Sequence, residues 1–277
     1  MSLPKIPLAA VIGSPIAHSK SPQIHGHWLE TMGLQGAYIP MDVLPKDLEQ
    51  VLRTMPKMGF VGANITVPHK EAVMNIVDTV TDRAALIGAV NMLVFCDDGK
   101  ILGDNTDGYG FLENLKNGAP NWVPSDGPAA IFGAGGAARA VISSLLDAGV
   151  PEILLSNRTR VRAENLQSVF GARVTVYDWT QAGNMLEDAA LLVNTTSLGM
   201  LGKSDLRVPL DGLRARTVVT DLVYNPLKTK LLETAEGVGC VTVDGLGMLL
   251  HQAVPAFERW FGTRPVVDNA TRLAALR

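Results

Sequence analysis

The sequence has little cysteine and no long apolar run. Its 277 residues include only two cysteines, Cys96 and Cys240, which are too few for a disulfide framework or a zinc-binding spacing and which permit a reducing compartment. No apolar run approaches the roughly 18 residues that a membrane-spanning helix needs. Pro4 and Pro7 interrupt the opening segment where a signal peptide requires a continuous apolar helix. We therefore expect a cytoplasmic protein without a membrane segment.

Charge is also scarce. Charged residues make up 18% of the chain, against about 25% in typical soluble proteins. The 24 Lys and Arg residues against 27 Asp and Glu give a net charge of −3, which excludes the strongly basic surface of a nucleic-acid-binding protein. Hydrophobic residues reach 47%, which is enough for a large core and excludes a disordered chain. At about 150 residues per domain, the length predicts two domains.

Short apolar runs alternate with helical patterns along the whole chain. Strands predicted in the first half are 8–12, 37–41 and 60–65. A longer amphipathic segment follows each of them, and this alternation predicts parallel sheets covered by helices. The turn formers Asp97-Asp98-Gly99 lie between the runs 91–95 and 100–103 and predict one antiparallel hairpin. A stretch crowded with turn formers, 117–128, predicts a domain boundary. Later strands are predicted at 129–132, 152–156, 173–177, 191–194, 217–221 and 240–244, and the last helices at 246–260 and 268–277.

A glycine-rich loop follows the strand predicted at 129–132. Its residues Gly133-Ala134-Gly135-Gly136-Ala137-Ala138 match the pattern G-x-G-x-x-G/A, and a helical pattern follows. Glycines in this pattern allow a tight turn and a close approach of the backbone to a pyrophosphate, which the helix N-terminus then attracts. The alternative is an ordinary turn between a strand and a helix. The strand–loop–helix context favours a dinucleotide site.

The choice of cofactor should be visible at the end of the next strand. An NAD site places an Asp or Glu there for the ribose 2′-hydroxyl. This sequence has no acid at that position and instead has Asn157, Arg158, Thr159 and Arg162. Guanidinium groups can pair with a 2′-phosphate, and basic charge at a helix start is otherwise unfavourable. A solvated basic helix start is the alternative, but the pattern favours NADP over NAD.

Polar residues of the first half are candidates for a substrate site. Ser21 is predicted as a helix N-cap followed by Pro22, which by itself is an ordinary cap, whereas Ser19 has no such role. Lys70 is predicted in the first turn of a helix, where its charge is disfavoured, so acid–base work stands beside an ordinary surface lysine. Asp107 is predicted either as a helix cap or as a functional carboxylate.

The histidines and acids do not suggest a metal site. His25 and His27 are two residues apart on a predicted helix and therefore point to different faces. The loop at 103–108 lacks the alternating ligands and the terminal Glu of a calcium-binding loop. We expect no metal.

Together, and in order along nearly the whole chain, these clusters resemble the shikimate dehydrogenase family. The motifs that carry the resemblance are Ser19-Lys-Ser21-Pro, Asn64-Ile-Thr66-Val-Pro-His-Lys70, Gly88-Ala-Val-Asn91, Asn105-Thr-Asp107-Gly, Gly133-Ala-Gly-Gly-Ala, Asn157-Arg-Thr159, Asn194-Thr-Thr196-Ser-Leu-Gly-Met200, Asp221-Leu-Val-Tyr224-Asn-Pro and Asp244-Gly245…Gln252-Ala.

The resemblance implies a two-domain α/β fold around a cleft. An N-terminal α/β substrate domain with a mainly parallel sheet would span 1–107 and be completed by helices at 246–277. A Rossmann-like domain at 108–245 would bind NADP. The implied reaction is the reversible reduction of 3-dehydroshikimate to shikimate in aromatic amino-acid biosynthesis, with no nucleic-acid partner and a monomer or homodimer as the assembly.

The resemblance also assigns roles to single residues. Lys70 and Asp107 would be the catalytic pair. Substrate would be held by Ser19, Ser21, Thr66, Lys70, Asn91, Asp107, Tyr224 and Gln252. The cofactor would be held by Gly133, Ala134, Gly135, Gly136, Ala137, Asn157, Arg158, Thr159, Arg162, Thr196, Leu222 and Gly245; Leu222 stands where some members of the family have Met.

Two other functions remain open on the sequence. A paralogous oxidoreductase could act on quinate or aminoshikimate in the same fold. A non-catalytic NADP-sensing module is the second alternative, and it should lack Lys70 or Asp107, both of which are present.

Overall fold

A computed structural model describes residues 6–277, and these residues form two compact units. The first unit comprises the described residues up to Thr106 together with Leu250–Arg277, and the second comprises Asp107–Leu249. The sequence predicts no signal peptide in the opening segment of the chain. Most of that segment, residues 1–5, lies outside the described residues. Among residues 6–277, none of the helices combines the length and the apolar character needed to span a bilayer.

A mixed, mainly parallel sheet forms the centre of the first unit. Its strands are β1 (Leu8–Gly13), β2 (Ala37–Asp42), β3 (Phe60–Ile65), β4 (Thr79–Val80), β5 (Met92–Phe95) and β6 (Ile101–Asp104). In the order β2-β1-β3-β5-β6-β4, β1 runs parallel to β2 and β3, and β4 runs parallel to β6. Strand β5 is antiparallel to β3 and β6, which confirms the predicted hairpin. The short strand β4 was not predicted.

Helices from both ends of the chain complete the first unit. Its helices are α1 (Ser21–Thr31), α2 (Leu48–Thr54), α3 (Asp82–Ile87), the later part of α8 (Leu246–Phe261) and α9 (Asn269–Leu276). The two last helices confirm the prediction at 246–260 and 268–277. Ile12 of β1 shares a core with Leu52 of α2, while Val11 shares another core with Trp260 of α8. Both faces of β1 are thus covered, which is why the strand is apolar throughout.

One expectation for this sheet is wrong. The sequence predicts a long amphipathic segment after β3. The chain instead forms a turn, in which the His69 amide donates to the Thr66 carbonyl at 2.9 Å, and then a short 3-10 helix, Ala72–Asn75. The Lys70 carbonyl accepts the Val90 amide at 2.8 Å and not an amide one turn further along the chain, so this residue does not continue a helix. Lys70 therefore precedes the helical residues instead of lying in a first turn.

A fully parallel sheet forms the centre of the second unit. Its strands are β7 (Ala129–Phe132), β8 (Ile153–Ser156), β9 (Val174–Tyr177), β10 (Leu191–Asn194), β11 (Val218–Asp221) and β12 (Val241–Val243). They lie in the order β9-β8-β7-β10-β11-β12, and every neighbouring pair is parallel. This is the 3-2-1-4-5-6 order of the Rossmann fold, in which a dinucleotide binds at the carboxyl ends of the strands where the order reverses. Here that point lies between β7 and β10.

Four helices accompany this sheet within the described residues: α4 (Asp107–Gly118), α5 (Gly136–Ala148), α6 (Arg160–Phe170) and α7 (Lys230–Val238). The turn-rich segment 117–128 connects α4 to β7 inside the second unit. The domain boundary predicted there is wrong, because turn formers mark any sharp connection and not only a linker between domains.

Candidate active site and cofactor site

The glycine loop begins directly after β7. Gly133 has a φ of 108°, and a Cβ at this position would lie 2.6 Å from Thr195 Oγ1, so only glycine fits. Its amide donates to the Ser156 carbonyl at 2.9 Å. By contrast, a Cβ built on Gly135 or Gly136 would meet nothing within 4 Å. The loop is therefore tightly held at its start and open where it enters the helix.

Helix α5 starts at the end of this loop without a side-chain cap. Its N-cap residue is Gly135, no side chain caps the first turn, and the first turn contains no acidic residue. The first amides of a helix lack intrahelical acceptors and carry a partial positive charge. The open space and these amides fit a pyrophosphate. The assignment of Gly133, Ala134, Gly135, Gly136 and Ala137 to that group stays a prediction.

Asn157 joins the glycine loop to the loop after β8. Its Oδ1 accepts a hydrogen bond from the Ala134 amide at 3.2 Å, and its Nδ2 donates to the Thr159 carbonyl at 2.8 Å. Thr159 is the N-cap of α6, and its side chain makes no capping bond. Asn157 thus connects the glycine loop, which the sequence assigns to the pyrophosphate, to the loop after β8, which the sequence assigns to the adenosine 2′-phosphate.

Three arginines stand near the start of α6, and they are not equivalent. Arg160 is engaged, with Glu164 at 2.8 Å and Asp178 at 2.5 Å. Arg158 and Arg162 are exposed, and within residues 6–277 their guanidinium groups make no hydrogen bond or ion pair. These two are the arginines that the sequence assigns to a 2′-phosphate, and the donor set fits one.

The remaining predicted cofactor residues follow the other strands of the same sheet. Thr196 comes after β10, Leu222 after β11 and Gly245 after β12. The Thr196 amide and hydroxyl both donate to Asn194 Oδ1, at 3.0 and 2.7 Å. The Leu222 amide donates to the Asn194 carbonyl at 3.0 Å. These residues therefore lie at the carboxyl edge of the sheet, on the β10–β12 side.

In the first unit, Ser19 lies between β1 and α1, and Ser21 is the first residue of α1. The predicted N-cap role of Ser21 is wrong: α1 begins at Ser21, its N-cap is Lys20, and no side chain caps it. Instead, Ser19 Oγ accepts the Ser21 amide at 3.4 Å. Ser21 is buried, and its side chain opposes the effect of burial on the pKa of Tyr38. Its side chain is thus part of a polar interior and not of a helix cap.

Thr66 and Lys70 lie on the turn after β3. The Thr66 amide donates to the Ile12 carbonyl at 2.9 Å, and the Lys70 carbonyl accepts the Val90 amide at 2.8 Å. Lys70 is half-buried. This turn is therefore fixed to the end of β1 on one side and to the Gly88–Asn91 motif on the other.

Asn91 is the centre of a buried amide network. It is 2% exposed. Its Nδ2 donates to Thr106 Oγ1 at 3.1 Å and to Gln252 Oε1 at 3.3 Å. Its Oδ1 accepts a hydrogen bond from the Thr106 amide at 2.9 Å. The Thr106 hydroxyl donates in turn to the Gln252 carbonyl at 2.8 Å. The structure thus brings together two predicted substrate residues, Asn91 and Gln252, through Thr106, which was not predicted.

Sequence reasoning also missed a second set of buried polar groups. The Tyr38 hydroxyl donates to Asn64 Oδ1 at 2.7 Å, and Asn64 Nδ2 donates to the Asn91 carbonyl at 3.0 Å. Burial raises the pKa of Tyr38, so its hydroxyl stays a donor. Asn64 and Thr106 both lie inside motifs that the sequence singled out, whereas nothing in the sequence marks Tyr38.

His25 packs against this set. Its ring stacks on Tyr38 at 3.9 Å between centroids with an interplanar angle of 1°. It is fully buried, and neither ring nitrogen has a hydrogen-bond partner among the described residues. Burial lowers the pKa of His25 to about 3. His25 is a neutral packing residue.

Within residues 6–277 no group of three or more His, Cys, Asp or Glu could hold a metal ion.

Two predicted substrate residues lie in the second unit. Asp107 is the first residue of α4, and Tyr224 follows β11; both are half-buried. Burial raises the pKa of Tyr224, so the phenol stays protonated over the physiological range.

Comparisons with known proteins agree with both units. Residues 11–93 match the shikimate dehydrogenase substrate binding domain, residues 124–246 match shikimate / quinate 5-dehydrogenase, and residues 245–269 match the shikimate 5′-dehydrogenase C-terminal domain. The chain is 68% identical over 276 residues to a shikimate dehydrogenase (NADP(+)) of Roseobacter denitrificans, covering 100% of both proteins. The chain belongs to the shikimate dehydrogenase family.

Solved structures of the family have the same fold. A shikimate 5-dehydrogenase of Thermus thermophilus, in complex with NADP(H) and shikimate, superimposes with a TM-score of 0.85 at 38% identity and covers 97% of this chain and 98% of that one. A quinate dehydrogenase of Corynebacterium glutamicum, in complex with NAD, superimposes with a TM-score of 0.90 at 32% identity, again over 97% and 98%. Two substrates and two cofactors thus occur on this fold.

Proposed function

We propose that this member of the shikimate dehydrogenase family catalyses the reversible NADPH-dependent reduction of 3-dehydroshikimate to shikimate, in aromatic amino-acid biosynthesis. The observation that carries the proposal is the 68% identity, over the whole chain, to a relative named shikimate dehydrogenase (NADP(+)). The exposed pair Arg158 and Arg162 supports the same cofactor, because a 2′-phosphate is what distinguishes NADP from NAD.

The substrate is a polyhydroxy acid, which requires several fixed hydrogen-bond partners. Ser19 and Ser21 hold its carboxylate, and Thr66, Asn91, Tyr224 and Gln252 complete its pocket. The network of Asn91, Thr106 and Gln252 supports this role, because it orients two amides before any ligand binds. A site built from such partners penalises an analogue that lacks one hydroxyl, since a buried polar group is then left unpaired.

Lys70 and Asp107 are the catalytic pair. The nicotinamide supplies the hydride when it is bound. The Lys70 ammonium stabilises the negative charge that develops on the carbonyl oxygen of 3-dehydroshikimate and delivers the proton to that oxygen. Asp107 is the second member of the pair and a substrate ligand as well. In the direction of oxidation, the same pair receives the hydroxyl proton.

The cofactor is held in three parts. Gly133, Ala134, Gly135, Gly136 and Ala137 bind the pyrophosphate; Asn157, Arg158, Thr159 and Arg162 bind the adenosine 2′-phosphate; Thr196, Leu222 and Gly245 border the nicotinamide. The uncapped start of α5 and the open space at Gly135 support the first assignment.

The sequence-based limits of the two domains remain part of the proposal: a substrate domain at 1–107 completed by 246–277, and an NADP domain at 108–245. A cytoplasmic location and a monomeric or homodimeric state also stay predictions.

A quinate dehydrogenase is the second candidate, because a quinate dehydrogenase in complex with NAD has the same fold at a TM-score of 0.90. The segment Asn157-Arg158-Thr159 without an acid argues against an NAD-linked enzyme of this kind.

Steady-state oxidation assays separate the candidates. Shikimate and quinate are each offered with NADP⁺ and with NAD⁺, and formation of the reduced cofactor is followed by its absorbance. We expect kcat/KM to be highest for shikimate with NADP⁺. A higher kcat/KM for quinate with NAD⁺ would replace the proposed function by the second candidate.

A further inference from the structure

Asp221, the last residue of β11, is a buried carboxylate without a cation. It is 0% exposed, and it forms no ion pair with any described residue. Burial raises its pKa, while hydrogen bonds from Thr229, Val223 and Asn194 lower it. Burying an unpaired carboxylate is costly unless donors surround it, so a position of this kind needs an explanation.

Three donors converge on this carboxylate from three different segments. Oδ1 accepts Asn194 Nδ2 at 2.9 Å and the Val223 amide at 3.0 Å, and Oδ2 accepts the Thr229 hydroxyl at 2.6 Å. Asn194 ends β10, Val223 lies in the loop after β11, and Thr229 is the N-cap of α7. Asp221 thus joins the end of β10, the loop after β11 and the start of α7 at the carboxyl edge of the sheet.

Asn194 extends the network into the loop after β10. Besides its bond to Asp221, its Nδ2 donates to the Leu198 carbonyl at 3.1 Å. Its Oδ1 accepts both the amide and the hydroxyl of Thr196, and the Thr196 hydroxyl accepts the Leu198 amide at 3.0 Å. The conformation of residues 195–198 therefore depends on an amide whose orientation Asp221 fixes.

Leu222 is held by the same network and by a glycine. The Leu222 amide donates to the Asn194 carbonyl at 3.0 Å. Its two neighbours in the chain are also bonded to each other, because the Val223 amide donates to the Asp221 side chain. A Cβ at Gly245 would overlap the Leu222 carbonyl group, so that glycine lies directly against the Leu222 backbone. The Leu222 backbone is thus in contact with the network on one side and with Gly245 on the other.

We propose that Asp221 is a positioning residue for the nicotinamide half of the cofactor site. It acts through Asn194 on Thr196 and through its own loop on Leu222, and both of these residues border the nicotinamide in the proposed function, on which this inference rests. The adenosine half has separate supports, because Asn157 bonds Ala134 and Thr159 and has no hydrogen bond to the Asp221 network.

Binding of whole and half cofactor tests the proposal. Dissociation constants are measured by calorimetry for NADPH and for adenosine 2′,5′-bisphosphate, which lacks the nicotinamide. In Asp221→Asn the side chain loses its charge, so the Thr229 hydroxyl no longer donates to a charged oxygen. We expect Kd for NADPH to rise about tenfold, the scale of one lost hydrogen bond to a charged group, and Kd for the half cofactor to stay within about twofold.

A second pair of variants tests the network without changing Asp221. Thr229→Val removes the hydroxyl that donates to Oδ2, and it should weaken NADPH binding in the same selective way. Thr229→Ser keeps the hydroxyl and should bind both ligands as the wild type does.

The outcomes separate the inference from the proposed function. Equal weakening of both ligands, or no weakening of either, in Asp221→Asn and Thr229→Val would overturn the positioning role. Wild-type protein that binds neither ligand would overturn the proposed function, and the inference with it. Arg158→Ala should weaken both ligands, which provides the opposite pattern as a reference.

Discussion

The side chains of Asn91 and Gln252 meet at 3.3 Å although 161 residues separate them in the sequence. Asn91 immediately precedes β5, and Gln252 lies on α8, which returns to the first unit after the chain has formed the second. The Thr106 hydroxyl donates to the Gln252 main-chain carbonyl as well, so α8 is bound to residues that flank β5 and β6. The proposed substrate pocket therefore depends on both ends of the chain.

The Gln252 side chain should affect substrate binding and not cofactor binding. Gln252→Leu keeps a similar size but removes the amide, and we expect KM for shikimate to rise about tenfold or more, the scale of a lost hydrogen bond in a polar site. The measurement is steady-state kinetics with each substrate varied in turn. KM for NADP⁺ should stay within about twofold of wild type, because Gln252 and its partner Asn91 are both assigned to the substrate and not to the cofactor. An equal rise in both constants would contradict the assignment.

The exposed arginines should discriminate between cofactors. Arg158→Ala should raise KM for NADPH and leave that for NADH little changed, because only NADPH carries the 2′-phosphate. Arg160→Ala is the matched control, since Arg160 is already paired with Glu164 and Asp178. We expect this control to keep the wild-type preference. If Arg158→Ala impaired NADH and NADPH alike, the 2′-phosphate would not be bound there.

How much the sequence could predict depends on how local each feature is. The strand, glycine loop and helix at 129–148 follow from neighbouring residues, and the structure has them with β7 at Ala129–Phe132 and α5 at Gly136–Ala148. The positions of Lys70 and Ser21 relative to their helices were predicted wrongly. The Lys70 carbonyl bonds the Val90 amide, which is distant in the sequence, and Lys20 takes the N-cap position of α1.

Contacts between distant segments could not be predicted from one sequence. Tyr38 lies on a strand with no polar motif around it, and only the pairing of β1 with β2 and β3 brings it to Asn64. Asp221 and Asn194 were visible as motif residues, but their bond depends on β10 and β11 being neighbours. The catalytic roles of Lys70 and Asp107 stay predictions.

His25 should make stability depend on pH. Its pKa is about 3 in the folded chain, against 6.5 for a free histidine, so between these values the unfolded state binds an extra proton. The free energy of unfolding therefore falls as the pH decreases through this window, by up to about 1.4 kcal/mol per pH unit from this group. His25→Phe keeps a ring against Tyr38 and removes this contribution.

Urea unfolding between pH 7.5 and 5 measures the effect. We expect the unfolding midpoint of His25→Phe to fall less steeply toward acid than that of the wild type. His18→Gln, a change at an exposed histidine, is the control and should follow the wild type. Parallel curves for His25→Phe and wild type would show that His25 takes up its proton in the folded state.

The most direct test of the account is the turnover of Lys70→Ala. We expect kcat for shikimate oxidation to fall by about 100-fold or more, the usual scale for a lost acid–base group, while Kd for NADPH and the circular dichroism spectrum stay those of the wild type. Lys57→Ala, at an exposed lysine of the same unit, should turn over normally. A Lys70→Ala protein that retained the wild-type kcat would contradict the assignment of Lys70 as the group that stabilises and protonates the substrate oxygen.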